Sequence, residues 1–184
     1  MNEAALDGET YSRTAMLLHW AGAALILTLL VLGFSMEAMP RKTPERTFYV
    51  NLHKSLGLLA AALVLVRLAV RARNHPPGVP PSLTPWQWVA ARWSHRLLYA
   101  CMVLQPLAGY LASSFNTYGV RLFGLQLPHW GWEDPALRSL FSGVHSAIAW
   151  TLSILIFLHV LAAVRHGLGR RNDILRRMLP HGPA

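Results

Sequence analysis

Apolar residues crowd into four long stretches of this chain, near 16–36, 50–70, 96–114 and 139–164. Each is about 20 residues long. As helix, rising about 1.5 Å per residue, each would cross a hydrocarbon layer ~30 Å thick. The pattern is not the short 3.6-residue alternation of a surface helix on a soluble core. It predicts four transmembrane helices. The second stretch is the least regular, because Arg67 lies inside it. Between stretches two and three runs "RNHPPGVPPSLTPWQW", whose prolines forbid a continuous helix. Between three and four lies "YGVRLFGLQLPHWGWEDPALR", where Trp130 and Trp132 look like interfacial anchors.

Composition sharpens this picture. The chain has 184 residues, 53% of them hydrophobic and only 14% charged. An average soluble domain is about 25% charged. The expectation is one membrane domain over 1–184, an all-α four-helix bundle with no room for a second sizeable unit. Lys and Arg number 17 against 8 Asp and Glu, which could suggest nucleic acid. But the basic residues flank the apolar stretches and form no stripe or tail, so nucleic-acid binding is set aside. Cys101 stands alone, which excludes an internal disulfide. The opening "MNEAALDGETYSRT" lacks a basic n-region and is expected to stay attached.

Charge placement orients the bundle. The N-terminal side would hold Arg13, Arg67, Arg71, Arg73, Arg92, Arg96 and the arginines from Arg165 to Arg177. The opposite side would hold Arg41, Lys42, Arg46, Lys54, Arg121 and Arg138. Basic residues favour the cytoplasm, so both termini are expected there. Arg170, Arg171, Arg176 and Arg177 read as anchors to lipid headgroups.

Histidines break the apolar pattern in an ordered way. His19, His53, His95 and His145 each stand near the start of one helix, and His159 near the end of the fourth. An ionisable side chain inside a membrane marks a functional site by default. Helix direction alternates, so His53 and His145 share the outer level, while His19, His95 and His159 share the inner one. From His145 to His159 the helix rises about 21 Å and stops ~40° short of four full turns, so both rings point the same way. That arrangement suits two stacked sites with two axial imidazoles each. Topology leaves His19 and His95 competing for the inner position. The same 14-residue step leads from His19 to Gly33, from His95 to Gly109 and from His53 to Arg67. The glycines would leave room for a flat macrocycle edge, and Arg67 would meet a haem propionate. A non-haem metal fits less well. No HxxxH or HxxH occurs, and acids are absent from the spans except Glu37 at one edge. Two imidazoles per level suit haem iron, whose equatorial ligands come from the porphyrin. With no CxxCH, the haems would be non-covalent and b-type. His75, His129 and His181 read as loop residues.

At these residues the chain resembles the prokaryotic cytochrome b561 family. The likeness runs through "LHW" at His19, "NLHKSLGLL" from Asn51, "SHRLLY" from Ser94 and "QPLAGY" from Gln105. It continues through "FGLQLP" from Phe123, "VHSAIA" from Val144, "LHVLAAVRH" from Leu158 and "NDILRRMLP" from Asn172. The resemblance implies a four-helix bundle in the bacterial inner membrane enclosing two b haems. His19 and His159 would bind one, His53 and His145 the other, and His95 is not among the family's axial ligands. It also implies a quinone-linked electron carrier, since some members are superoxide:ubiquinone oxidoreductases. Similar dihaem subunits anchor hydrogenases and formate dehydrogenases, so an electron-relay subunit with a partner protein is the alternative. Bis-His ligation leaves no open iron position and hence no catalytic residue at the metal. On this reading His95, His166 and Arg71 are candidates to hold ubiquinone at the inner level. Lys54, beside His53, is a candidate to draw in an anion such as superoxide.

Overall fold

The computed structural model describes residues 10–74, 77–78, 83–128, 130–167 and 176–179. His75, His129, His181, Arg170 and Arg171 lie outside the described residues. Four helices carry the fold: α1 (Arg13–Glu37), α2 (Pro44–Arg73), α3 (Pro85–Ser114) and α4 (Pro135–Gly167). All four are long and apolar enough to cross a membrane. Side chains such as Leu17, Val31, Leu65 and Phe157 are exposed on the bundle exterior. Hydrocarbon rather than water is the solvent that suits such a surface.

The helices are longer than the apolar stretches, mostly at their starts. α3 begins at Pro85, well before the apolar run near residue 96. The cause is capping chemistry. Thr43-Pro44, Thr84-Pro85 and Asp134-Pro135 each place a capping residue ahead of proline at the first helical position. Thr43 Oγ1 accepts from the Arg46 N–H at 3.3 Å. The Thr84 N–H donates to Gln87 Oε1 at 2.9 Å. Asp134 Oδ1 accepts from the N–H groups of Ala136 and Leu137 at 2.9 and 3.0 Å. These caps start each helix outside the apolar zone.

α1 packs mainly on α2, and α3 mainly on α4. The two helical hairpins meet chiefly through α2 and α3. Between α3 and α4 the chain forms a small antiparallel hairpin, β1 (Val120–Leu122) with β2 (Leu125–Leu127). Its two turn residues, Phe123 and Gly124, both have positive φ, 48° and 95°. That is the requirement of a tight two-residue hairpin turn, and an uncommon conformation for Phe. Docking offsets its cost. The Phe123 N–H donates to Ser55 Oγ at 2.9 Å, and Ser55 Oγ lies 3.1 Å from the Arg121 carbonyl. Ser55 and Val120 are both buried, so the hairpin sits firmly on α2 two residues from His53. Trp130 and Trp132 flank the region and stay largely exposed.

Candidate functional site

Five intramembrane histidines fall into two groups, one at each end of the bundle. At the end where the chain begins, α1, α3 and α4 bring His19, His95 and His159 together. The rings of His19 and His159 have centroids 6.4 Å apart, and those of His95 and His159 lie 5.3 Å apart. At the far end, α2 and α4 bring His53 and His145 to a centroid separation of 6.1 Å. The alternation of helix direction puts these rings at matching depths.

Each group has its own fixings. At the near end the Arg67 guanidinium donates to His19 Nδ1 at 2.8 Å. Arg67 and Arg71, one turn apart on α2, both lie over the ring of Tyr99, 5.4 and 5.5 Å from its centroid. Such cation–π contacts gain strength away from water. Tyr99 stands one turn after His95 on α3, so the α2 arginines and the α3 His–Tyr pair form one wall. His166 is half-buried seven residues beyond His159 and makes no hydrogen bond to His95, Arg67 or Arg71.

At the far end His145 Nδ1 donates to the Gln105 backbone carbonyl at 2.9 Å. The Gln105 side-chain nitrogen lies 3.2 Å from His145 Nε2. Gly109, one turn on, is pressed against the same ring. A Cβ there would fall 2.9 Å from His145 Cε1 and 3.0 Å from Nδ1. A Cβ on Gly33 would sit at an ordinary 3.5 Å from His53 Cε1. The two glycines singled out by spacing thus border the far imidazoles themselves. A cleft between His53 and His145 is lined by Gly57, Pro106, Gly109 and Tyr110, and also by Lys54 and Val120 of β1. Lys54 donates to the Gly119 carbonyl at 2.9 Å, with Arg138 and Arg121 close by.

The donor set fits haem iron. A metal–imidazole bond of about 2 Å on each side, with each ring centroid about 1 Å further back, puts two axial rings roughly 6 Å apart. The His19–His159 and His53–His145 separations match that value. The His95–His159 separation is shorter than two such bonds require. His53 Nδ1 and Gln105 Oε1 are buried without a hydrogen-bond partner. Orphaned polar atoms of this kind carry a desolvation cost unless something further occupies the site. Among the described residues no cluster of three or more His, Cys, Asp or Glu could hold a metal ion alone. Paired imidazoles need a macrocycle to complete the coordination.

Gln105, Tyr99 and Trp20 were not singled out by their sequence pattern. Trp20 packs edge-to-face on His19, with centroids 5.2 Å apart. An i, i+4 spacing marks two of these additions, His95 with Tyr99 and Gln105 with Gly109.

The profile of the family described as prokaryotic cytochrome b561 matches residues 10–181. The protein called cytochrome b561 homolog 2 of Escherichia coli (strain K12) is 29% identical over 178 residues, covering 93% of this chain and 92% of that one. Cytochrome b561 homolog 1 of the same strain is 24% identical, covering 92% and 97%. The Yersinia pestis protein called probable superoxide oxidase CybB is 24% identical, covering 92% and 96%.

Proposed function

This chain belongs to the prokaryotic cytochrome b561 family of haem-binding membrane electron carriers, and on that premise we propose that it oxidises superoxide and reduces ubiquinone by way of two b-type haems. The observation that carries the reading is the pair of imidazole separations, 6.4 Å at one end and 6.1 Å at the other. His19 and His159 hold the near haem, and His53 and His145 the far one. Bound haem would supply one-electron chemistry, with these imidazoles as the residues that would hold it. Both termini lie in the cytoplasm on this reading, which places the far end outside. Two superoxide anions each give up one electron and leave as dioxygen. One quinone takes up the two electrons and two protons and leaves as quinol. Arg67, whose guanidinium lies at the near level beside His19, would supply positive charge for a haem propionate.

The far end suits an anionic donor. Lys54, Arg121 and Arg138 lie together there, and no acid pairs with them among the described residues. Such a cluster raises the encounter rate of an anion, and salt screens it. The expected result is a rate of haem reduction by superoxide that falls about tenfold or more as added salt shortens the Debye length from about 30 Å to about 3 Å. Lys54→Glu should lower the low-salt rate in the same direction. A rate flat in both tests points to a neutral donor or a docked protein.

The near end suits the quinone. His95 is intramembrane and closer to His159 than two imidazoles on opposite sides of one haem iron would stand, which leaves its ring for a carbonyl oxygen. Arg71 and His166 are the other polar groups at this level. His95→Ala should keep both haem spectra and slow reoxidation of the reduced protein by ubiquinone about tenfold, the loss of one hydrogen bond worth ~1.4 kcal/mol. Wild-type reoxidation in this variant places the quinone elsewhere. The overall reading is tested by stopped-flow reduction of the purified protein with superoxide, with and without quinone. Superoxide that leaves the haem spectrum oxidised overturns it in favour of a relay subunit with a protein donor.

A further inference from the structure

We infer that Trp20 is a positioning residue for His19, and that the turn Arg176–Leu179 near the C-terminus holds the indole in place. Successive residues of a helix do not face each other. Yet the rings of His19 and Trp20 meet edge to face, with centroids 5.2 Å apart and planes at 80°. An anchor outside the helix keeps the indole there. Its Nε1–H donates to the Met178 carbonyl at 2.8 Å.

The turn that offers this carbonyl is itself tied down. The Tyr11 N–H donates to the Arg177 carbonyl at 3.2 Å, and the Leu179 N–H closes the turn on the Arg176 carbonyl at 3.3 Å. The Arg177 guanidinium donates to the Gly78 carbonyl at 2.6 Å. Arg177 therefore ties the turn to the link between α2 and α3, in addition to any contact with lipid. The residues ahead of α1, the first turns of α1 and that link all converge on four residues near the end of the chain.

His19 is thus gripped from two directions. Arg67 approaches Nδ1, and the indole abuts the ring. Groups around a metal-binding imidazole set the plane of its ring and tune the metal through it. The Trp20–Met178 hydrogen bond is such a group acting at one remove. The inference rests on His19 being an iron ligand.

Two variants of the haem-loaded protein test it. Trp20→Phe keeps an aromatic ring beside His19 and deletes the donor. A chain lacking residues 176–184 deletes the acceptor. In both, the low-spin electron paramagnetic resonance signal of the near haem should shift and broaden, with the far signal unmoved and haem content unchanged. The combined variant should move the signal no further than either alone, because both cut the same contact. Tryptic cleavage at Arg176 and Arg177 should speed up about tenfold in Trp20→Phe, as expected for one lost hydrogen bond. A near-haem signal identical to the parent in both variants overturns the inference. His19→Ala separates the two layers. Loss of the near haem there, with silent Trp20→Phe and truncated proteins, overturns the positioning role alone. Retention of both haem signals in His19→Ala overturns the ligand reading and the inference with it.

Discussion

On the proposed pairing, haem content should fall from two per chain to one in His145→Ala, and the haem that remains should be the near one. His53→Ala should give the same result. His19→Ala and His159→Ala should lose the near haem and keep the far. The matched centroid separations carry this expectation, since removing either ring of a pair leaves the iron with a single protein ligand in an apolar cleft. Pyridine haemochrome assay on each purified variant measures the count, and low-spin spectra show which haem survives. His95→Ala is the internal control. Its ring lies 5.3 Å from His159, closer than two imidazoles on opposite sides of one haem iron would stand, so it should lose neither haem. Unchanged haem content in His145→Ala would sink the pairing. So would a His95 variant that loses the near haem while His19→Ala keeps it.

Gly109→Ala should strip the far haem from most molecules while Gly33→Ala leaves it bound. Alanine in the interior of a helix normally stabilises by ~1 kcal/mol relative to glycine, so propensity alone predicts a harmless change at both sites. Contact distances separate them. At Gly109 the new methyl would overlap the His145 ring at 2.9 Å, while at Gly33 it would rest at 3.5 Å from His53. The His145 ring cannot simply yield, because its Nδ1–H is held by the Gln105 carbonyl. Pushing it aside breaks that hydrogen bond and swings the imidazole off the line to His53. The readout is the far-haem signal against an unmoved near-haem signal. If Gly33→Ala loses the far haem as readily, the glycines make room for the macrocycle as well as the imidazole. If Gly109→Ala keeps it, the ring has space elsewhere.

Much of this was legible in the amino-acid order, and the parts that were not have physical reasons. Hydropathy marks only the membrane-immersed length of a helix, so it found the later part of α3, from about residue 96 to its end at Ser114, but not its start at Pro85. The start is encoded in Thr84-Pro85 and Gln87, a capping signal that carries no hydropathy. The β1–β2 hairpin was missed for a different reason. "VRLFGLQL" does alternate, but its strands have three residues each, and Phe-Gly is a poor advertisement for a turn needing two positive φ values. Ser55 supplies what local sequence does not. The depth of each histidine followed from helix direction and counting. Which ring faces which depends on how each helix is rotated about its axis, and that is set by packing between helices. Counting could not reveal Arg67 on His19, Tyr99 beneath two arginines or Gln105 on His145. Each is a contact between different helices.

The division into two helical hairpins bears on assembly. His19 and His53 belong to the α1–α2 half, and His95, His145 and His159 to the α3–α4 half. On the proposed ligand assignment, His19–His159 and His53–His145 each draw one ring from each half, and neither half alone would present both ligands of either pair. A cofactor that binds only the docked form stabilises docking by about 2.7 kcal/mol when its free concentration is a hundred times its dissociation constant. Two such sites at opposite ends of the bundle would act as rivets through a seam. A chain without haem would have only helix packing to close that seam.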